Sequence, residues 1–206
     1  MSGEIRAYQT TDQTDVYDVC VRTAAAGGDA RGRYSTDGLI PDVWAGPYLE
    51  FDPDLAFVVE VDGSVGGYLL ATADTRAFAA RYRREWIPYL AERYTWPAAA
   101  TVAPAEIDLL GSGFDAGRLL IPEVDEYPAH FHIDLLPELQ GRGLGRRLIG
   151  LLTAELHRRG VPGLHLGMDP ANTGARAFYD RLGFTPLPSS ASTLGLRIRS
   201  AVPTSG

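Results

Sequence analysis

Lysine is absent from this 206-residue chain, whose 19 basic residues are all arginine. A nucleoside-triphosphate P-loop needs GxxxxGK followed by Ser or Thr, so that phosphate cradle is excluded. Cysteine is almost absent too. A single residue, Cys20, leaves no disulfide framework and no CxxC metal site. No stretch reaches the roughly 18 consecutive apolar residues of a membrane span, and the opening Met1-Ser-Gly-Glu-Ile-Arg6 lacks the basic-then-apolar pattern of an export signal. These absences set the expectation of a soluble, cytoplasmic protein. A basic stripe interleaved with aromatics is also missing, and the isoelectric point is about 5.1. Nucleic acid is therefore not an expected partner.

What is present is a chain 45% apolar and 22% charged, with 23 glycines and 14 prolines. That is the composition of one globular domain, here spanning 1–206, long enough to build a core without metal or disulfide. Its charge is unevenly placed. Residues 1–141 carry 10 Arg against 23 acidic residues, and residues 142–206 carry 9 Arg against 3. This asymmetry suggests an anionic ligand on the C-terminal part and a cationic one near the acidic part, where Asp37, Asp42, Glu50, Asp52, Asp54, Glu60, Asp62 and Asp74 fall between Arg33 and Arg76 with no basic residue among them.

Along the chain, Ile5 to Gln9 reads as a strand and Thr14 to Ala26 as a helix whose Val16, Cys20 and Thr23 share a face, which makes Cys20 a packing residue. Residues 27–54 read as a packed irregular segment or short helices. Ala56 to Asp74 is a hairpin about Asp62-Gly63-Ser64. Arg76 to Tyr94 has helical spacing with Pro88 set to kink it or break it into two pieces, and Thr95 to Pro128 reads as a long connection. Then come a strand over His130 to Leu136, a glycine turn over Gln140 to Gly145, and a helix with Leu144, Leu148, Leu151, Leu152 and Leu156 on one face. A strand at Leu164 to Met168 follows, then a helix capped by Asn172 with Ala175, Phe178 and Leu182 inward, and strands at Phe184–Leu187 and Thr193–Ile198.

Strand, glycine turn, helix and second strand make a crossover that should be right-handed and parallel, with the glycines at the carboxyl edge of the sheet. Gly141, Gly143 and Gly145 let backbone N–H groups at the helix start approach an anion. Arg142, Arg146 and Arg147 stand at the same end, where cations oppose the helix dipole unless an anionic ligand is bound. A dinucleotide fingerprint needs GxGxxG, but Arg146 occupies the place of the third glycine; Asp169 at the end of the next strand keeps that alternative open.

Leu135-Leu-Pro-Glu-Leu-Gln-Gly-Arg-Gly-Leu-Gly-Arg-Arg147, followed by Asn172 and Ala177-Phe-Tyr-Asp-Arg-Leu-Gly-Phe184, resembles the GNAT N-acetyltransferase superfamily. Gln140, Gly143 and Gly145 match its Q-x-x-G-x-G turn. Gly46-Pro-Tyr-Leu49, Phe57-Val-Val-Glu60, Gly67-Tyr68 and Trp86-Ile-Pro-Tyr89 are similar to the acetyltransferase-like C-terminal domain of O-GlcNAcases, here standing alone as in a bacterial-type protein. The resemblance implies an α/β (α+β) fold with a mixed, partly antiparallel central sheet flanked by helices on both faces. It further implies an acidic acceptor-side part over 1–128 and an acetyl-CoA-binding core over 129–199.

As implied by the resemblance, acetyl-CoA is the co-substrate and no metal is needed. The backbone of Ile133, Leu135 and Leu136 would take the pantetheine arm, and the N–H groups of Arg142, Gly143, Leu144, Gly145, Arg146 and Arg147 the diphosphate, with Gln140 and Asn172 completing the cofactor site. Tyr179 would touch the cofactor and protonate the leaving thiolate, and N–H groups near Leu135 and Leu136 would polarise the thioester carbonyl. His130, His132 and Asp134 alternate on one strand face. His132 with Asp134 is either a base with its orienter or two mutually satisfied polar groups. Glu123, Asp125, Glu126 and Tyr127 stand where they could line the acceptor site. The implied reaction is direct acetyl transfer to a primary amine, on a small molecule or a protein lysine. A non-catalytic acyl-CoA-binding module is the alternative.

Overall fold

The computed structural model describes residues 3–25, 27–95 and 103–198. Seven strands form one sheet in the order β1-β2-β3-β4-β5-β7-β6: β1 Glu4–Ala7, β2 Ala56–Val61, β3 Ser64–Thr72, β4 Ala129–Leu135, β5 Gly163–Gly167, β6 Thr185–Leu187 and β7 Ser190–Arg197. Every paired neighbour is antiparallel except β4 with β5, the crossover pair, which is parallel as its connection requires. The α/β fold with a mixed, partly antiparallel sheet is therefore the one the motifs imply.

Period-two alternation divides the apolar residues between two cores. Val58, Tyr68 and Leu70 face one side, against α1 (Gln13–Thr23), α2 (Leu39–Trp44), α3 (Gly46–Phe51), α4 (Thr75–Arg81), α5 (Ile87–Arg93) and α6 (Pro104–Phe114). Val59, Leu69, Ala71 and Phe131 face the other, against α7 (Leu144–Arg158) and α8 (Thr173–Arg181). In α7, Leu144, Leu148, Leu152 and Leu156 are buried, but Leu151 is 44% exposed and drops out of the expected stripe. At 100° per residue it lies a quarter-turn from Leu152, beyond the sheet contact. In α8 the buried residue is Tyr179, while Ala175, Phe178 and Leu182 are only half-buried.

Within residues 27–54 the chain forms two short helices, α2 and α3, one of the two readings the sequence left open. Two expectations need revision. The Arg76–Tyr94 helix begins one residue earlier, where the Asp74 side chain accepts from Ala77 N–H, and a π-helical turn at Tyr82–Trp86 separates α4 from α5. Pro88 has no N–H to donate back into the preceding turn, and the widened turn absorbs that gap. The expected connection from Thr95 holds α6 and a short 3-10 turn at Ala116–Leu119; residues 96–102 lie outside those described. Among the described residues, no helix is long and apolar enough to cross a membrane.

Candidate active site

β4 and β5 pair only at Ala129↔Leu164 and His130↔His165, and beyond His130 they part. Leu136 N–H donates to the Gly66 carbonyl on β3 at 3.0 Å, so strand alternation turns the N–H and C=O of Ile133 and Leu135 away from β3, into the split. The Leu135 carbonyl is taken by Gln140 Nε2 at 2.9 Å. What faces the split is thus the Leu135 N–H and both backbone groups of Ile133. Leu136, given a share in holding the thioester by the sequence reading, has spent its N–H on Gly66. Gln140 acts by tying the glycine turn back to β4.

The turn's glycines have two different jobs. Gly141 and Gly143 have φ of +70° and +78°, a conformation L side chains rarely adopt, and a Cβ at either would meet nothing within 4 Å. Gly145 is a close-packing position, where a Cβ would stand 3.0 Å from the Phe178 ring of α8. Gly143 caps α7 through its carbonyl, which accepts from Arg147 N–H at 3.1 Å. The N–H groups of Leu144, Gly145 and Arg146 precede that first intrahelical bond and have no partner in the helix. Arg146 and Arg147 are exposed and make no ion pair among the described residues. An extended strand edge leading to a cluster of aimed N–H donors and cations fits a ligand with an amide-bearing arm and a phosphate end.

On the far end of the crossover, Tyr179 is buried with its ring against Phe131, Phe178 and Phe184 at 5.2–6.2 Å between centroids. Burial, then the nearby Asp134 charge, pushes its hydroxyl well above the usual phenol range, so it holds its proton at neutral pH. Asn172 Oδ1 accepts from Ala175 N–H at 2.9 Å and so caps α8.

The polar face of β4 differs from the sequence reading. His132 and Asp134 share the face but are not partners. Asp134 accepts from Tyr68 OH at 2.6 Å, its cross-strand neighbour, and burial raises its pKa. His132 Nε2 lies 3.1 Å from Tyr48 OH on α3. Tyr48 OH is also 2.6 Å from His130 Nε2, and His130 Nδ1 is 2.7 Å from Thr75 Oγ1 on α4. Trp44 stands edge-on to His132, and Arg118 stacks on Trp44 at 4.4 Å while donating to the Ser112 and Val43 carbonyls. Burial first, and then the Arg118 cation, holds His132 down at about 4. Beside Tyr68 and Asp134, burial pushes the Cys20 thiol up to about 12, so it is no nucleophile at neutral pH.

Spacing along the chain does not single out Tyr48, Thr75 or Arg118, because Tyr48 and Thr75 reach the β4 histidines from distant segments and Arg118 acts on them from beside Trp44. Glu123, Asp125, Glu126 and Tyr127 each fasten this segment to another part of the chain. Glu123 accepts from Ser189 N–H and Oγ, Asp125 and Glu126 pair with Arg76 and Arg197, and the Tyr127 carbonyl accepts from His165 Nδ1. No group of three or more His, Cys, Asp or Glu able to hold a metal occurs among the described residues.

Residues 29–184 match the model of the Acetyltransferase (GNAT) family. The chain belongs to this family. Its acetyl donor is accordingly acetyl-CoA. Rat Protein O-GlcNAcase is 26% identical over 181 residues, 87% of this chain and 20% of that protein, so the chain spans one fifth of that relative. The [Ribosomal protein bS18]-alanine N-acetyltransferase of Salmonella typhimurium is 46% identical over 54 residues, 26% of this chain and 36% of that one. The crystal structure of SsHAT superposes with a TM-score of 0.88 at 45% identity, covering 97% of this chain and 100% of SsHAT.

Proposed function

We propose that this GNAT-family chain is an N-acetyltransferase moving acetyl from acetyl-CoA directly to a primary amine, on a small molecule or a lysine side chain. The observation that carries the reading is the β4/β5 split, whose strand edge at Ile133 and Leu135 leads to the first N–H groups of α7, Leu144, Gly145 and Arg146, which no carbonyl of the helix takes up. In this reading the N–H groups of Gly143, Leu144, Gly145 and Arg146 and the side chains of Arg142, Arg146 and Arg147 take the diphosphate. Residues 129–199 form the donor half and 1–128 the acceptor half of one domain, in a cytoplasmic protein.

Acetyl-CoA supplies a thioester carbonyl with a thiolate leaving group; the chain must accept a proton from the amine and deliver one to sulfur. Tyr179, held as a neutral phenol, delivers the proton. The Leu135 N–H stabilises the oxyanion. The expectation of a cationic acceptor drawn by the acidic segment loses support. Asp42 accepts from Tyr17 and Tyr94 and pairs with Arg93, and Glu106, from the helix unread in the sequence, holds Ser35. The permanent charge beside His132 is Arg118, so the amine is expected to react from its free-base form.

Thermal unfolding with acetyl-CoA, coenzyme A, NADH and ATP tests the donor site. At 100 times its dissociation constant a ligand adds about 2.7 kcal/mol, and each kcal/mol moves the midpoint by roughly 2–4 °C at this size. Both coenzyme A forms are expected to shift it, and NADH and ATP not to. An amine panel then tests transfer, with Tyr179→Phe as the slow control. Binding without acetylation of any amine would leave only an acyl-CoA-binding module.

A further inference from the structure

Counting protons along the buried chain at β4 leaves one arrangement. Thr75 Oγ1 lies 2.7 Å from the Pro128 carbonyl, which can only accept, so the hydroxyl proton of Thr75 is spent there. The contact between Thr75 Oγ1 and His130 Nδ1 therefore carries the imidazole proton, and His130 is an Nδ1–H tautomer. His130 is 5% exposed and kept neutral by burial and by His165, His132 and Arg118, so its Nε2 is a lone pair that accepts from Tyr48 OH. With its own proton spent, the Tyr48 oxygen accepts from His132 Nε2–H. His132 is neutral for the reasons given above, which leaves its Nδ1 as the one ring atom with a free lone pair. His132 is half-buried and stands two residues past the last β4–β5 pair, where the strands part.

Resting on the N-acetyltransferase reading, we infer that His132 Nδ1 is the general base for the acceptor amine, and that Thr75, His130 and Tyr48 are positioning residues whose hydrogen bonds, anchored on the Pro128 carbonyl, fix its tautomer. As the amine nitrogen forms its bond to the acetyl carbon, the amine proton moves to His132 Nδ1. The C–S bond breaks with its electron pair going to sulfur, which takes the Tyr179 proton, and the imidazolium returns its proton to water, from which Tyr179 is reprotonated. The groups facing this chain are Arg118 toward His132, His165 on β5 toward His130, and Arg118, Tyr82 and Asp52 toward Tyr48. Asp134, further along the strand, is engaged by Tyr68. A base kept neutral beside a cation suits an amine that enters uncharged and becomes acidic only after attack.

The resting protein is read by nitrogen-15 NMR of its histidines. The expected spectrum shows His130 protonated at Nδ1 and His132 at Nε2, both neutral at pH 6; the opposite tautomers, or a mixture, overturn the inference without reference to activity. In kinetics, Thr75→Val removes the anchor and frees the pair to invert, and Tyr48→Phe cuts the link while keeping the ring. Each is expected to lower kcat at least tenfold, a tenth or less of what a general base contributes, with KM for acetyl-CoA unchanged, whereas Thr75→Ser restores both the tautomers and the rate. Full kcat in Thr75→Val and Tyr48→Phe overturns the inference and leaves the N-acetyltransferase reading standing. Wild-type protein that binds acetyl-CoA but acetylates no amine overturns both.

Discussion

Asp42 in the acidic N-terminal part and Arg147 at the start of α7 carry opposite charges and are treated in opposite ways. Asp42 is 1% exposed, accepts from Tyr17 at 2.9 Å and Tyr94 at 2.7 Å, and lies 3.2 Å from Arg93 Nε. Arg147 is exposed, has no ion-pair partner among the described residues, and stands with Arg146 where the α7 dipole disfavours a cation. The acidic half thus spends carboxylates on its own architecture, as Asp12 does with Arg6 and Glu106 with Ser35. The basic half keeps charge that its helix does not want. Composition alone treats the two as mirror images, and only one of them is available to a ligand.

Asp42→Ala strands two phenols and a guanidinium in or near the core, and is expected to cost about 3–5 kcal/mol in urea unfolding. A loss below about 1 kcal/mol would return Asp42 to the pool of surface charge.

What the sequence shows of this molecule is what lies within a few residues. The glycine turn, its arginines, β4 and the parallel crossover were legible because strand period, glycine spacing and helix start sit in one run from His130 to Leu156. α6 was not, since Gly111 and Gly113 argue locally against a helix; its support is distant, with Leu109 and Leu110 in the core and the Gly113 carbonyl accepting from Tyr82 OH. The His132–Asp134 pairing failed for a related reason. Residues two apart on a strand share a face, but the cross-strand neighbour stands closer, and Tyr68 opposite Asp134 took the carboxylate. Tyr48 lies 84 residues from His132, a separation no spacing rule spans.

The two neutral histidines of β4 predict the acid limb of stability. The unfolded chain takes up protons near pH 6.5, whereas His132 does so near 4 and His130 lower than its ordinary range. Between those values the unfolded state binds more protons, so this stability is complete above about pH 6.5 and is lost as pH falls, by up to about 1.4 kcal/mol per pH unit for each histidine. Asp134 and Asp52, raised by burial, act in the opposite sense at the acid end. The steepest loss is therefore expected between pH 6.5 and 5 in wild type and is shallower in His132→Asn. A flat profile from pH 7 to 5 would mean that both imidazoles charge freely in the fold.

At the glycine turn the expected costs to the fold are smaller and the costs to binding larger. Gly143→Val forces a branched residue to φ of +78° with open space around it, for about 1–2 kcal/mol of local strain. Coenzyme A affinity is expected to fall more than tenfold, because the turn can no longer aim its N–H groups. Unchanged affinity in a folded variant would remove the diphosphate from this turn.

The smallest effect on stability is the sharpest test of the comparison, because its sign is set in advance. Replacing Arg146 and Arg147 by alanine together removes two cations from the positive end of α7, so the ligand-free protein is expected to gain stability, of order 0.3 kcal/mol per arginine. In the same variant coenzyme A should bind more weakly, with a shallower dependence on salt, since fewer charges face its phosphates. An ordinary solvated surface would give neither the gain nor the loss, and an architectural ion pair would give a loss of stability like that at Asp42. Only charge held against its own helix for an anionic ligand makes the free protein more stable and the complex weaker in a single variant.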